Sequence, residues 1–299
     1  MKYPITFAYL AFAITFTSGQ SLHVSAGRLI RIENFHSRFI PSRNIDIWLP
    51  NDYTFTKKYS VLYMQDGQML FNADQNSNHQ EWEVDETLDS LISKSAIQDC
   101  IVVGIWNNGF NKLSEYYPQK ALEYIPSKSR KKFIKEQLGS KPYSDEYLKF
   151  IVLELKPYID KNFSVWTNPE NNFIVGSLEG ALIALYAVCE YPDVFHSAVC
   201  ISNYWYQDEH IPYAILKYLK KHTPDPTNHS FYFDYDTSHS LESYNKYQTK
   251  INTHFTKKKY TNKNYLSVEL NSEIPNEENW SKRFYMSVMF LLGKNIDVR

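Results

Sequence analysis

The stretch Asn171-Asn-Phe-Ile-Val-Gly-Ser-Leu-Glu-Gly-Ala-Leu-Ile-Ala-Leu-Tyr-Ala-Val-Cys-Glu190 decides the fold. Phe173 to Val175 is a short apolar run that suits a buried strand. Gly176 and Gly180 bracket a tight turn. Ala181 to Cys189 is apolar and rich in helix formers, and Tyr191-Pro192 stops it. Strand, sharp turn and helix make a nucleophile elbow, in which Gly-x-Ser-x-Gly lifts a serine above a sheet. Here the five residues are Gly176, Ser177, Leu178, Glu179 and Gly180. The glycines that permit the turn are kept, but the residue at its centre is leucine.

Outward from the elbow, the chain alternates strand and helix. Gly27 to Glu33 and Arg43 to Leu49 alternate in polarity and read as strands, and Pro50 to Tyr53 is a turn. Tyr59 to Met64 and Ile101 to Trp106 are nearly continuous apolar runs that suit central strands. Polar loops follow them, Gln65-Asp66-Gly67-Gln68 and Asn107-Asn108-Gly109, at the strand ends where open α/β sheets gather ligands. Lys120 to Tyr143 breaks the pattern and reads as a lysine-rich surface excursion over the sheet edge, a candidate lid, with a short helix near Arg130 to Gln137. Ser144 is expected to cap a helix with Leu148, Ile151, Val152, Leu155 and Ile159 on its apolar face, which Pro157 either kinks or fixes in its last turn. Beyond the elbow, strands are expected over Phe195 to Ser202, Phe231 to Phe233 and Leu266 to Leu270. Helices are expected over Ile211 to His222, Leu241 to Phe255 and Glu277 to Leu292. This order predicts an α/β fold, with a mainly parallel central sheet and helices on both faces.

The chain has 299 residues and a formal net charge of -1, which suits one large domain and gives no sign of a nucleic-acid partner. Residues 1–19 read as a signal peptide: Lys2, then an apolar run from Ile5 to Phe16, then Thr17-Ser18-Gly19. The expectation is an exported chain of residues 20–299 with no membrane span after the leader is removed. Cys100, Cys189 and Cys200 sit in apolar surroundings and read as core residues rather than a disulfide framework.

These pieces resemble the esterase family of α/β-hydrolases, which includes enterochelin esterases, feruloyl esterases and S-formylglutathione hydrolase. The resemblance runs from about Asn34 to Lys294. It is carried by Asn34-Phe-His-Ser-Arg with Arg43 to Tyr53, by Val61-Leu-Tyr-Met-Gln-Asp-Gly-Gln68, by Val103-Gly-Ile-Trp-Asn107 with Glu115-Tyr-Tyr-Pro118, by the elbow, and by Trp280 to Lys294. It implies an α/β-hydrolase fold and a serine, histidine and acid acting together. The nucleophile position falls on Leu178. The histidine, expected a few residues before a tryptophan, falls on Pro275, and no histidine follows His254. The acid falls between Asp234 and Glu242, with Asp236 and Glu242 as the two candidates. The oxyanion hole is expected from backbone N–H groups near Gly67 and Gln68 and from that of Glu179. A carboxylate at Glu179 opposes a developing oxyanion.

Other constellations are weaker. Ser177, Ser202, His239 and Asp236 offer the parts of a relocated triad. The histidines lack metal-ligand spacing, and no cofactor motif is present. Trp106, Tyr204, Trp205 and Trp280 fall in or beside the loops that would frame a pocket for a small ester or a carbohydrate-like ligand. Two readings stand: a catalytically inactive homologue that binds a ligand, and an ester hydrolase with a non-standard catalytic set. Oligomeric state is not legible in the sequence.

Overall fold

The computed structural model describes residues 22–76, 78–203, 210–236, 242–270 and 276–294. The strands are β1 (Arg28–Phe35), β2 (Arg43–Leu49), β3 (Ser60–Gln65), β4 (Cys100–Ile105), β5 (Asn172–Ser177), β6 (Ser197–Ile201), β7 (Ser230–Asp236) and β8 (Tyr265–Leu270). They form one sheet in the order β1-β2-β4-β3-β5-β6-β7-β8. β1, β2 and β4 pair antiparallel, and from β4 to β8 all pairings are parallel. The helices are α1 (Val84–Ser93), α2 (Lys112–Tyr116), α3 (Ser127–Phe133), α4 (Ser144–Phe150), α5 (Lys156–Asn162), α6 (Glu179–Glu190), α7 (His210–His222), α8 (Glu242–Lys257) and α9 (Glu277–Leu292).

Successive strand side chains point to opposite faces, so each central strand feeds two apolar layers. Val61, Tyr63, Ile101, Val103, Ile174, Ala198 and Cys200 lie in one layer, with α6 and Phe150, Ile151 and Tyr218. Leu62, Met64, Val102, Phe173, Val175, Val199 and Ile201 lie in the other, with Leu88 of α1 and Phe284, Val288 and Leu292 of α9. Strands buried on both faces cannot alternate apolar with polar, which is why β3 to β6 are so uniformly apolar.

Three local expectations are corrected. Ser144 does not cap its own helix: it is the first residue of α4, and its hydroxyl accepts the Gln119 N–H at 2.9 Å. The segment from Lys120 to Tyr143 is not a loose surface excursion. Ala121, Leu122, Ile125, Phe133 and Leu138 anchor it in the larger core. Its lysines face outward around that anchor, and they hide the period. The helix after Ser144 is not continuous α. A π-helical turn, Ile151–Leu155, separates α4 from α5, and it lies directly before Pro157, whose missing N–H cannot bond to the preceding turn. Sequence reading also passed over α1. The three cysteines are buried and free.

Candidate functional site

The elbow is built as its glycines require. Leu178 takes φ 49° and ψ -116°, a conformation that non-glycine residues rarely adopt. Its N–H donates to Ile201 O at 3.0 Å, and α6 begins at the next residue. A Cβ on Gly176 would lie 2.2 Å from the Gly180 carbonyl oxygen, so only glycine lets the helix start so close to the strand. At the apex, Leu178 is half-buried and packs against both apolar layers. It presents carbon where the motif presents a hydroxyl. Ser177, the last residue of β5, is only 4% exposed, as expected for a side chain turned into the packing.

Beside the apex lies a charged bridge that the sequence did not reveal. Asp66, in a left-handed conformation at φ 56°, follows β3. Lys112 Nζ, at the start of α2, reaches Asp66 Oδ2 at 3.0 Å and Glu179 Oε2 at 3.5 Å. Asn107 Nδ2 donates to Asp66 Oδ1 at 2.7 Å, and the Asn107 N–H donates to Gln68 Oε1 at 3.2 Å. Burial alone would lower the pKa of Lys112, but Asp66 and Glu179 outweigh it, so the ammonium is held in its charged form. Glu179 is the first residue of α6, where a carboxylate is also favoured by the helix dipole. The bridge carries two carboxylates against one ammonium, an excess of one negative charge beside the elbow apex. Gly67 fits only as glycine, because an added Cβ would lie 2.5 Å from the Gly104 backbone. Gly67 and Gln68 open a 3-10 turn, whose first N–H groups have no acceptor within the turn.

The second cluster sits under the ends of β6 and β7. Arg283 of α9 donates to Ser202 Oγ at 2.7 Å and to Asp234 Oδ1 at 3.2 Å. The Trp280 indole N–H donates to the same Ser202 Oγ at 3.3 Å. Asp234 is fully buried; burial pushes its pKa up, and Arg283 offsets this only in part. Ser202 Oγ therefore accepts from two donors, neither of them a histidine. Trp280 packs against Trp82 with the rings tilted by 49° and their centroids 5.3 Å apart, and is only 4% exposed. Trp106 turns toward the antiparallel edge: its indole N–H donates to Asp46 Oδ2 at 2.8 Å, and the Arg31 guanidinium lies over its ring at 4.5 Å. Tyr204, Trp205, His239 and Pro275 lie outside the described residues. Asp236 ends β7 and Glu242 begins α8, and their side chains also lie outside the described set. The structure thus brings together Gly67, Gln68, Leu178 and Glu179, and adds Asp66, Asn107 and Lys112. Among the described residues no group of three or more metal-ligating side chains is spaced for an ion, and no helix is long and apolar enough to cross a membrane.

The fold and elbow define an α/β-hydrolase. A family model described as "Putative esterase" matches residues 38–288, and the chain belongs to that family. A Bacillus subtilis protein, the uncharacterized protein YbbA, is 28% identical over 169 residues, covering 56% of this chain and 59% of YbbA. The chain therefore matches less than two thirds of that relative's length. Among solved structures, a ferulic acid esterase superposes with a TM-score of 0.65 at 17% identity, covering 88% of this chain and 97% of that one. The enterochelin esterase of Shigella flexneri superposes with a TM-score of 0.63 at 14% identity, covering 88% and 57%. At these identities the structural likeness speaks to the fold alone.

Proposed function

We propose that this chain is an exported, non-catalytic member of the esterase family that binds a small ester or a carbohydrate-like ligand at the elbow without turning it over. One observation carries the reading: Leu178 occupies the elbow apex, in the strained backbone geometry that otherwise presents the nucleophile. A leucine side chain has no lone pair to attack a carbonyl. Two further features support it. The histidine position falls on Pro275, and the Asp66–Lys112–Glu179 bridge places net negative charge where hydrolysis must stabilise an oxyanion. A solved structure of the same fold, the enterobactin esterase of Shigella flexneri, was determined in the presence of 2,3-dihydroxy-N-benzoyl-serine, a small aryl compound. Export rests on the charged, apolar and small-residue order of residues 1–19.

Turnover of nitrophenyl esters by the purified chain is the test. The expected rate equals that of a matched Ser177→Ala, Ser202→Ala double variant, because neither serine does chemistry. A parent rate well above that variant would make one of these serines a nucleophile and overturn the reading.

A further inference from the structure

Charge is segregated on this chain, whose formal net charge is -1. Residues 119–141 hold seven lysine and arginine residues against two carboxylates. α7 holds three lysines and no carboxylate. The two stretches meet in space. Lys221 Nζ of α7 lies 5.3 Å from the centre of the Tyr124 ring, and Lys217 Nζ lies 5.2 Å from that of Tyr213, which is 48% exposed. Between them opens a cleft of about 440 Å³, lined by Tyr124, Tyr213, Lys217, Lys220 and Lys221. That size suits a ring-sized group rather than a lone ion. Ile125 and Pro126 alone separate Tyr124 from α3, which extends the positive charge through Lys128, Arg130 and Lys131.

The protein itself does not neutralise this face. Among the described residues, Lys217, Lys220 and Lys221 enter no ion pair, and neither do Lys128, Arg130 and Lys131. Glu190 of α6 is already engaged by Lys120 and by the Tyr218 hydroxyl at 2.6 Å, and Glu136 by Lys132 at 3.8 Å. That leaves Glu123 as the one carboxylate of the two stretches outside an ion pair among the described residues. Lys217 repels Lys220 and Lys221, one turn further along α7, so their grouping costs helix stability rather than adding to it. The buried face of α7, with Ala214, Ile215, Tyr218 and Leu219, secures the helix without them.

We propose that this cleft and the lysine face around it bind an anionic polysaccharide, a chain of sugar rings bearing carboxylate or sulfate groups, at a site separate from the elbow. The ammonium groups supply the counter-charge, and the two tyrosine ring faces hold Lys217 and Lys221 in place for it. The tyrosines also offer an apolar body and a polar tip to a sugar ring seated in the cleft. Two other polyanions fit less well. A bilayer surface calls for protruding apolar anchors, and the other exposed large apolar side chains, Phe55, Leu153, Trp166, Tyr285 and Met289, lie on neither stretch. Phosphate backbones favour the forked guanidinium, and Arg130 is the one arginine on these two stretches.

The test is calorimetric binding of polygalacturonate and of dextran sulfate to the whole purified chain at low salt. At least one should bind, and which one does so tells carboxylate from sulfate. Neutral dextran should not bind, and added salt should weaken the interaction. Lys217→Gln, Lys220→Gln and Lys221→Gln together should weaken it about tenfold, the scale of three exposed ion pairs. Tyr213→Ser keeps every charge but removes one ring, and should weaken it about two- to fivefold. Lys58→Gln, Lys94→Gln and Lys263→Gln together make the same change of net charge on exposed lysines elsewhere, and should leave affinity within about twofold of the parent. Binding of neither polysaccharide would overturn the proposal, and so would equal losses in the two triple variants or parental affinity in Tyr213→Ser. Tighter binding of duplex DNA or of phosphatidylglycerol vesicles than of either polysaccharide would overturn it too.

Discussion

Glu115→Ala is expected to cost about 3–5 kcal/mol of folding stability, the scale for breaking a buried ion pair from one side. Arg43 and Glu115 are paired through two hydrogen bonds, at 2.8 and 2.9 Å, and their side chains are only 3% and 2% exposed. The guanidinium also lies over Tyr147 at 5.3 Å and Phe150 at 5.6 Å, so it cannot turn to water without vacating the core. Without the carboxylate, its remaining acceptors are the Trp106 and Pro41 carbonyls, at 3.3 and 3.4 Å. Arg43→Met with Glu115→Leu should recover most of the loss, because no buried charge is then left unpaired. The effect also reaches the site, since Glu115 and Lys112 share the short helix α2 and one turn of it carries both the anchor and the bridge. Urea unfolding of the single and double variants measures this. A single variant within about 1 kcal/mol of the parent would mean that water reaches the guanidinium, contrary to its burial.

Restoring hydrolysis is expected to need substitutions in combination. Leu178→Ser places a hydroxyl on a backbone already bent for it, but the position expected to hold the base falls on Pro275. Pro275→His supplies a base with nothing to activate. Members of a triad act as a unit, so each single variant should stay at the parent's rate, while the pair gains on the order of 10²–10⁴-fold from general base catalysis. This holds provided Asp236 or Glu242 orients the new histidine. Glu179→Met should raise the rate again, because it removes a carboxylate from the oxyanion position and leaves Lys112 paired with Asp66 alone, at 3.0 Å. Turnover of an activated nitrophenyl ester by the single, double and triple variants reads all of this. Full turnover from Leu178→Ser alone would mean that another residue serves as base. A folded but silent triple variant would place the divergence beyond the triad and its neighbouring charge.

The elbow was legible because it is local. Two glycines, an apolar run on each side and a Tyr-Pro stop lie within one short stretch, and the structure reproduces strand, turn and helix there. The central strands were legible for a similar reason, since burial on both faces leaves an unbroken apolar run. The charged bridge was not legible. Its ammonium stands on the five-residue helix α2, too short to show a period, and its partners come from two distant strand ends. Arg43 and Glu115 were hidden in the same way, 72 residues apart. Asp234 bounded the range in which the acid was expected but was not one of its two candidates. Only the fold sets Arg283 and Ser202 against it, which ties up one carboxylate and one serine that sequence reading had left open. The lysines of residues 120–143 masked five buried apolar anchors, because charge on the exposed side dilutes a pattern carried by short turns.

The central claim is that no activated nucleophile stands at this elbow, and covalent labelling tests it most directly. The folded chain would be incubated with a serine-directed fluorophosphonate, and the adduct read by intact mass and peptide mapping. The account predicts no adduct on the parent, and one adduct per chain, on the introduced serine, in the Leu178→Ser, Pro275→His variant. Stoichiometric labelling of any serine in the parent would contradict it.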